Sequence, residues 1–187
     1  MNPEKFIFCL EAVPDADAVN STAVVKVLEQ SALNFGMASI YKACDTIEGL
    51  EESLNTLLYD DHNFKDYEII YFVVPGAPNN IRINNYYYSI EEIAELFEGK
   101  MKGKVIHFAN QKTLNLSDEE SRYFLDVTGA RAISGYGAKL DLISSINTLD
   151  RAFFNLSHDN DDLREVVETL FRKNYNLCKT LDFRLYY

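Results

Sequence analysis

Most of the sequence features that announce a chemistry are missing from this chain. No GxGxxG or GxxxxGKS/T run occurs in its 187 residues, so neither a dinucleotide nor a P-loop phosphate has a backbone cradle. Cysteine is scarce: Cys9, Cys44 and Cys178 form no CxxC pair. An odd, scattered set of thiols argues against a disulfide framework or zinc site and for reduced cysteines in a cytoplasmic protein. Basic charge is short as well. With 18 Lys and Arg against 29 Asp and Glu, the formal net charge is -11, which repels phosphate backbones and anionic lipid, so neither nucleic acid nor membrane is expected as a partner. No apolar run reaches the length of a signal peptide core or a membrane span. Repeats, low-complexity tracts and Pro/Gly/Ser linkers are missing too, and residues 1–187 are expected to form a single domain.

What the chain does contain is alternation. Phe6–Glu11 is a short apolar run that reads as a buried strand. Asn20-Ser21 is placed to cap a helix carrying Val24, Val27, Leu28 and Ala32, which Gly36 ends. Ala38–Cys44 predicts a second strand. A helix from Asp45-Thr46 to about Asp60 then carries Ile47, Leu50, Leu54, Leu57 and Leu58 on one side. Tyr67–Val74 has no polar face from Ile69 onward, as a central parallel strand requires.

Ile81–Ile83 and Tyr86–Tyr88 flank Asn84-Asn85, a hairpin turn, because asparagine tolerates positive φ. Ser89 and Ser117 each stand three residues before a glutamate, giving two capping boxes whose helices stop at Gly99 and Gly129. Strands are expected at Lys104–Phe108 and Ala130–Ser134, with Gly135-Tyr136-Gly137 as a plain turn. Helices follow over roughly Leu140–Leu156 and Leu163–Lys179, joined by a polar loop Ser157–Asp162, and Asp182–Tyr187 ends the chain as an edge strand. Such alternation specifies an α/β three-layer sandwich: a mainly parallel sheet of about six strands, helices on both faces and a small inserted hairpin.

In parallel sheets, ligands gather at the carboxyl ends of strands. Two exits matter here, Pro75-Gly76-Ala77-Pro78 and Ala109-Asn110-Gln111, with Glu11 facing the same rim. Neither exit carries a nucleophile, a general base or a metal ligand. His62 and His158 lie in polar stretches and read as solvated, whereas His107, inside a strand, reads as a hydrogen-bonded core residue. Cys9 is expected to pack as a small hydrophobe. Asp159-Asn160-Asp161 lacks the glycine and distal glutamate of a calcium loop. No metal and no cofactor are expected. Alternation at Tyr86, Tyr87 and Tyr88 sends one or two rings outward, where tyrosines favour protein interfaces.

From Tyr67 to Phe154 the order of elements resembles the caspase-like fold, in particular its CHAT and gingipain-like bacterial branch. The resemblance rests on Tyr71-Phe72-Val73-Val74-Pro75-Gly76, on strand and turn Lys104–Thr113, and on Thr128-Gly129-Ala130-Arg131-Ala132-Ile133-Ser134-Gly135-Tyr136. Ala77-Pro78 and His107-Phe108 with Thr113-Leu114 also look close to a bacterial domain of unknown function. Competent members carry His-Gly at the first of these turns and Cys at the second, as base and thiolate. Gly76 matches the glycine, but Pro75 stands at the histidine position and Gln111, with Asn110 as the nearest alternative, at the cysteine position. Neither residue type does that chemistry. The resemblance thus implies a non-catalytic pseudoenzyme, a binding or assembly module whose contact rim is Glu11, Gly76, Asn110 and Gln111 with the Tyr86–Tyr88 hairpin. A protein or peptide partner is expected, together with a homodimer through the Asp182–Tyr187 strand. Two other readings stay open. One is a cysteine-type or other hydrolase in which Cys9 or Glu11 converges with His107. The other is a small-nucleotide binder of flavodoxin- or TIR-like topology, disfavoured because Glu11–Asp15 offers a proline and two carboxylates where phosphate needs backbone donors.

Overall fold

The computed structural model describes residues 5–17, 22–60, 67–109, 114–138 and 143–187. Its main sheet is built from β1 (Lys5–Ala12), β2 (Ala38–Cys44), β3 (Ile69–Val73), β7 (Val105–Phe108), β8 (Ala132–Tyr136) and β9 (Phe183–Tyr186). They lie in the order β2-β1-β3-β7-β8-β9, parallel except for β9, which runs antiparallel to β8 at the edge. A second sheet holds β4 (Gly76–Ala77), β5 (Asn80–Ile83) and β6 (Tyr86–Ser89). The expected hairpin is there, turning at Asn84 with φ 56°, and β4 adds a third strand to it.

Side-chain alternation divides the apolar residues into two layers. Phe8, Leu10, Ile70, Phe72, Ile106, Phe108 and Ile133 face α2 (Ile47–Asn55), α3 (Ile90–Leu96) and α4 (Asp118–Thr128). Ile7, Cys9, Ile69, Tyr71, Val105, Ala132 and Tyr136 face α1 (Ala23–Phe35), α5 (Ile143–Asp159) and α6 (Leu163–Leu181). Both capping boxes form, at Ser89 with Glu92 and at Ser117 with Glu120, and Gly129 closes α4 in the left-handed region.

Four local expectations differ. Thr22 caps α1, since its hydroxyl accepts the Val25 N–H; Asn20-Ser21 lie outside the described residues. The stretch after α2 is a π-helical turn, Thr56–Asp60, and not more α-helix. The polar segment at 157–159 continues α5, where Ser157 is buried and His158 packs edge-on against Phe6 at 5.0 Å. Gly135 and Tyr136 belong to β8 and not to a turn. Glycine at 135 is a packing requirement. A Cβ there would lie 2.8 Å from Leu114 Cδ1 and 2.9 Å from the Phe108 carbonyl oxygen, a backbone atom that yields little. Gly135→Ala is therefore expected to cost about 1–3 kcal/mol in urea denaturation; an unchanged midpoint would show that the strands part freely there.

Candidate functional site

The most densely connected polar cluster sits in the middle of the sheet. Register places Tyr41, Cys9, Tyr71, His107, Ser134 and Leu185 side by side, one from each strand. On the α1/α5/α6 side of this row, Asp150 descends from α5, fully buried. Its Oδ2 accepts from the Tyr71 hydroxyl at 2.5 Å, and its Oδ1 accepts from the Tyr136 hydroxyl and from His107 Nε2 at 2.7 Å. A carboxylate accepts only, so the hydrogen-bond pattern assigns a proton to Nε2. His107 Nδ1 pairs with Ser134 Oγ at 2.8 Å. Serine, histidine and aspartate are thus linked in series, but every member is fully buried. Phe153 and Phe154 close over the imidazole, with ring centroids 5.2 and 5.4 Å away. A relay that meets neither water nor a pocket is a core polar network.

Sequence reasoning placed His107 in the core and missed its partners. The signal was present: Tyr71, His107 and Ser134 are polar interruptions at one phase of three apolar strands, and Asp150 sits beside Leu149 and Phe153 on the buried stripe of a helix. A carboxylate there requires donors opposite.

Both ring nitrogens of His107 are engaged, and Tyr71 stands between its strand and Cys9. The convergence of His107 with Cys9 or Glu11 is not formed. Glu11 instead accepts from the Tyr41 hydroxyl at 2.7 Å, half-buried at the end of β1. Each of the three cysteines is buried. Burial pushes the Cys44 thiol from its usual 9.0 up to about 12 and Cys178 to about 11. It raises Cys9 well above its usual value too, with the charges of Glu11 and Asp150 adding to the effect.

At the carboxyl rim, β3 runs out into Pro75, which is exposed, and half-buried Gly76 opens β4. The Pro75 carbonyl accepts the Arg82 N–H at 2.6 Å. Asn79, at φ 56°, locks the hairpin to the segment after β7: its amide donates to the Asn115 carbonyl at 3.1 Å and its Oδ1 accepts the Asn115 N–H at 2.8 Å. Arg184 of β9 donates to the Asn115 side chain and to Asp182. Hairpin, rim and edge strand are stapled through one asparagine. Asn110 and Gln111 lie outside the described residues, as does His62. Tyr86 and Tyr87 project outward, 68% and 57% exposed, while Tyr88 packs against the core.

This sheet order, with a last antiparallel strand, defines a caspase-like α/β sandwich. Among solved structures the Drosophila initiator caspase Dronc is similar, with a TM-score of 0.53 over 91% of this chain and 72% of that chain. At 12% identity the likeness is one of fold. The chain belongs to the family described as "Family of unknown function (DUF6642)", whose model matches residues 4–187. No curated protein matches it. Among the described residues no helix is long and apolar enough to cross a membrane.

Three outcomes are expected. Asp150→Ala leaves an imidazole and two hydroxyls without their acceptor and lowers stability by about 3–5 kcal/mol, against near-neutrality for exposed Asp159→Ala; equal effects in urea denaturation would refute the hub role. Above the usual thiol value the unfolded chain releases thiol protons that the folded chain keeps, so rising pH draws the equilibrium toward the unfolded state. Stability is then full below about pH 9 and falls from there toward about 11 to 12. Native protein should react slowly with Ellman's reagent at about pH 8, and three thiols should appear in denaturant; a fast native thiol contradicts this.

Proposed function

We propose that the chain is a non-catalytic caspase-like module, akin to the CHAT and gingipain-like branch, that works by binding or assembly as one domain. The observation that supports this most is the state of its reactive groups. All three thiols are buried and protonated, His107 is locked between Ser134 and Asp150, and the β3 exit presents Pro75. A thiol hydrolase needs an accessible thiolate beside a base. The degenerate positions on this reading are Pro75 and Gln111. The nucleotide-binding alternative is poorly supported, because donors after β1 are already occupied. The Val13 N–H bonds the Cys44 carbonyl, the Ala16 N–H bonds Asp45 and the Asp17 N–H bonds Asp15.

The contact surface is the rim of Glu11, Gly76, Asn110 and Gln111 together with the outward Tyr86 and Tyr87, and its partner is a protein or peptide. Homodimerisation uses β9, at the sheet edge beside a groove lined by Val167, Phe171, Leu185 and Tyr187. The test is affinity capture and light scattering on one set of proteins. Tyr86→Ala/Tyr87→Ala should lose a partner that the wild-type chain retains from native extract, and Tyr186→Lys, an edge charge, should convert a dimer to a monomer. Cleavage of a peptide library by the wild-type chain would overturn the non-catalytic reading, and a monomeric wild type would remove the dimer.

A further inference from the structure

A second cleft, of about 460 Å³, opens between the hairpin and the N-terminal turns of α3 and α4. That is within the roughly 300–1,000 Å³ of ligand pockets. Its floor is apolar: Ile90, Leu116 and Phe124 are all buried side chains that line it. Its rim is acidic, with Glu91 and Glu119 both exposed and Glu120 beside them. No lysine or arginine lines it among the described residues.

Helix N-termini ordinarily favour anions, and two of them point this way. The charge comparison decides against that. Each N-terminus carries about half a positive charge, whereas the two first turns hold five carboxylates, Glu91, Glu92, Asp118, Glu119 and Glu120. The Ser89 and Ser117 hydroxyls also accept the Glu92 and Glu120 N–H groups. The field in the cleft is negative. Tyr123 on its wall responds accordingly: after burial, the charges of Glu95, Glu91 and Glu98 raise its hydroxyl above the usual value.

We propose that this cleft binds a cationic peptide segment, with an apolar side chain on Ile90, Leu116 and Phe124 and a neighbouring arginine or lysine held by Glu91 and Glu119. The inference rests on the binding-module reading and narrows its partner to one chemistry. The occupant follows from charge complementarity: an apolar floor beneath a carboxylate rim fits a basic, amphipathic segment and repels an acidic one.

The probe is a fluorescein-labelled peptide of alternating leucine and arginine, read by anisotropy against the same peptide with glutamate for arginine. Saturable binding of the arginine peptide alone is expected, weakening as salt rises. Glu91→Gln/Glu119→Gln should weaken it by roughly fivefold or more. Glu51→Gln/Glu52→Gln, which changes net charge equally on α2, should leave it within about twofold. Equal losses in the two double variants would mean that only the overall charge attracts the peptide, and would overturn the proposal. Absence of saturable binding would do the same. If Tyr86→Ala/Tyr87→Ala abolishes binding and Glu91→Gln/Glu119→Gln does not, this inference falls while the binding-module reading stands.

Discussion

A single carboxylate organises the interior of this protein. Asp150 comes from α5, yet its three donors come from β3, β7 and β8, so one side chain ties a helix to the three central strands on that face. Hydrogen bonds to a charged group contribute about 1.5–3 kcal/mol each, against several kcal/mol for desolvating the carboxylate. The net gain is therefore small. The cluster's larger consequence is register. A one-residue slip of β7 would carry His107 onto the face packed by Phe72, Phe97 and Phe108 and leave Asp150 without an imidazole.

The same burial separates architecture from reactivity. Serine, histidine and aspartate in hydrogen-bonded series make a familiar constellation, but its function on other scaffolds depends on a nucleophile that meets substrate. Here Ser134 lies on β8 between β7 and β9, fully buried, and bonds an imidazole against which Phe153 and Phe183 pack. The thiols obey the same physics, because a dry layer favours their protonated form. What reaches the surface at the strand ends is of another kind: an exposed proline, asparagine clamps, tyrosines and glutamates. Those groups offer shape, hydrogen bonding and charge and no nucleophile.

Fold was more legible than site, for a physical reason. Strand and helix identities follow from local period and caps: Ile69–Val73 admits no polar face, and Ser89-Ile90-Glu91-Glu92 satisfies its own orphan donors. The misreadings cluster where tertiary packing overrides local preference. Gly135 looked like turn punctuation because the reason for it, Leu114 and the Phe108 carbonyl, lies on other segments. His158 looked solvated because the ring it packs against, Phe6, comes from the far end of the chain. The core network was hidden for the same reason, since Tyr71 and Asp150 are 79 residues apart. At the rim, Pro75, Tyr86 and Tyr87 are exposed and Gly76 is half-buried, and the Asn79–Asn115–Arg184 staple has no local signature.

That staple bears on how the two ends of the proposed surface relate. Arg184 lies on the open edge strand, Asn115 follows β7, and Asn79 opens the hairpin while its amide also reaches Glu120 at 3.5 Å. A chain of contacts therefore runs from the sheet edge to the acidic cleft without passing through the hydrophobic layers. Its links are exposed hydrogen bonds, weaker and more exchangeable than the Asp150 cluster beneath them. The molecule thus combines a rigid interior, pinned by a buried charge, with a rim whose polar contacts can re-pair at modest cost. The proposed binding role draws on that division: the interior fixes where the rim residues stand, and the exposed rim hydrogen bonds are the ones a partner would exchange.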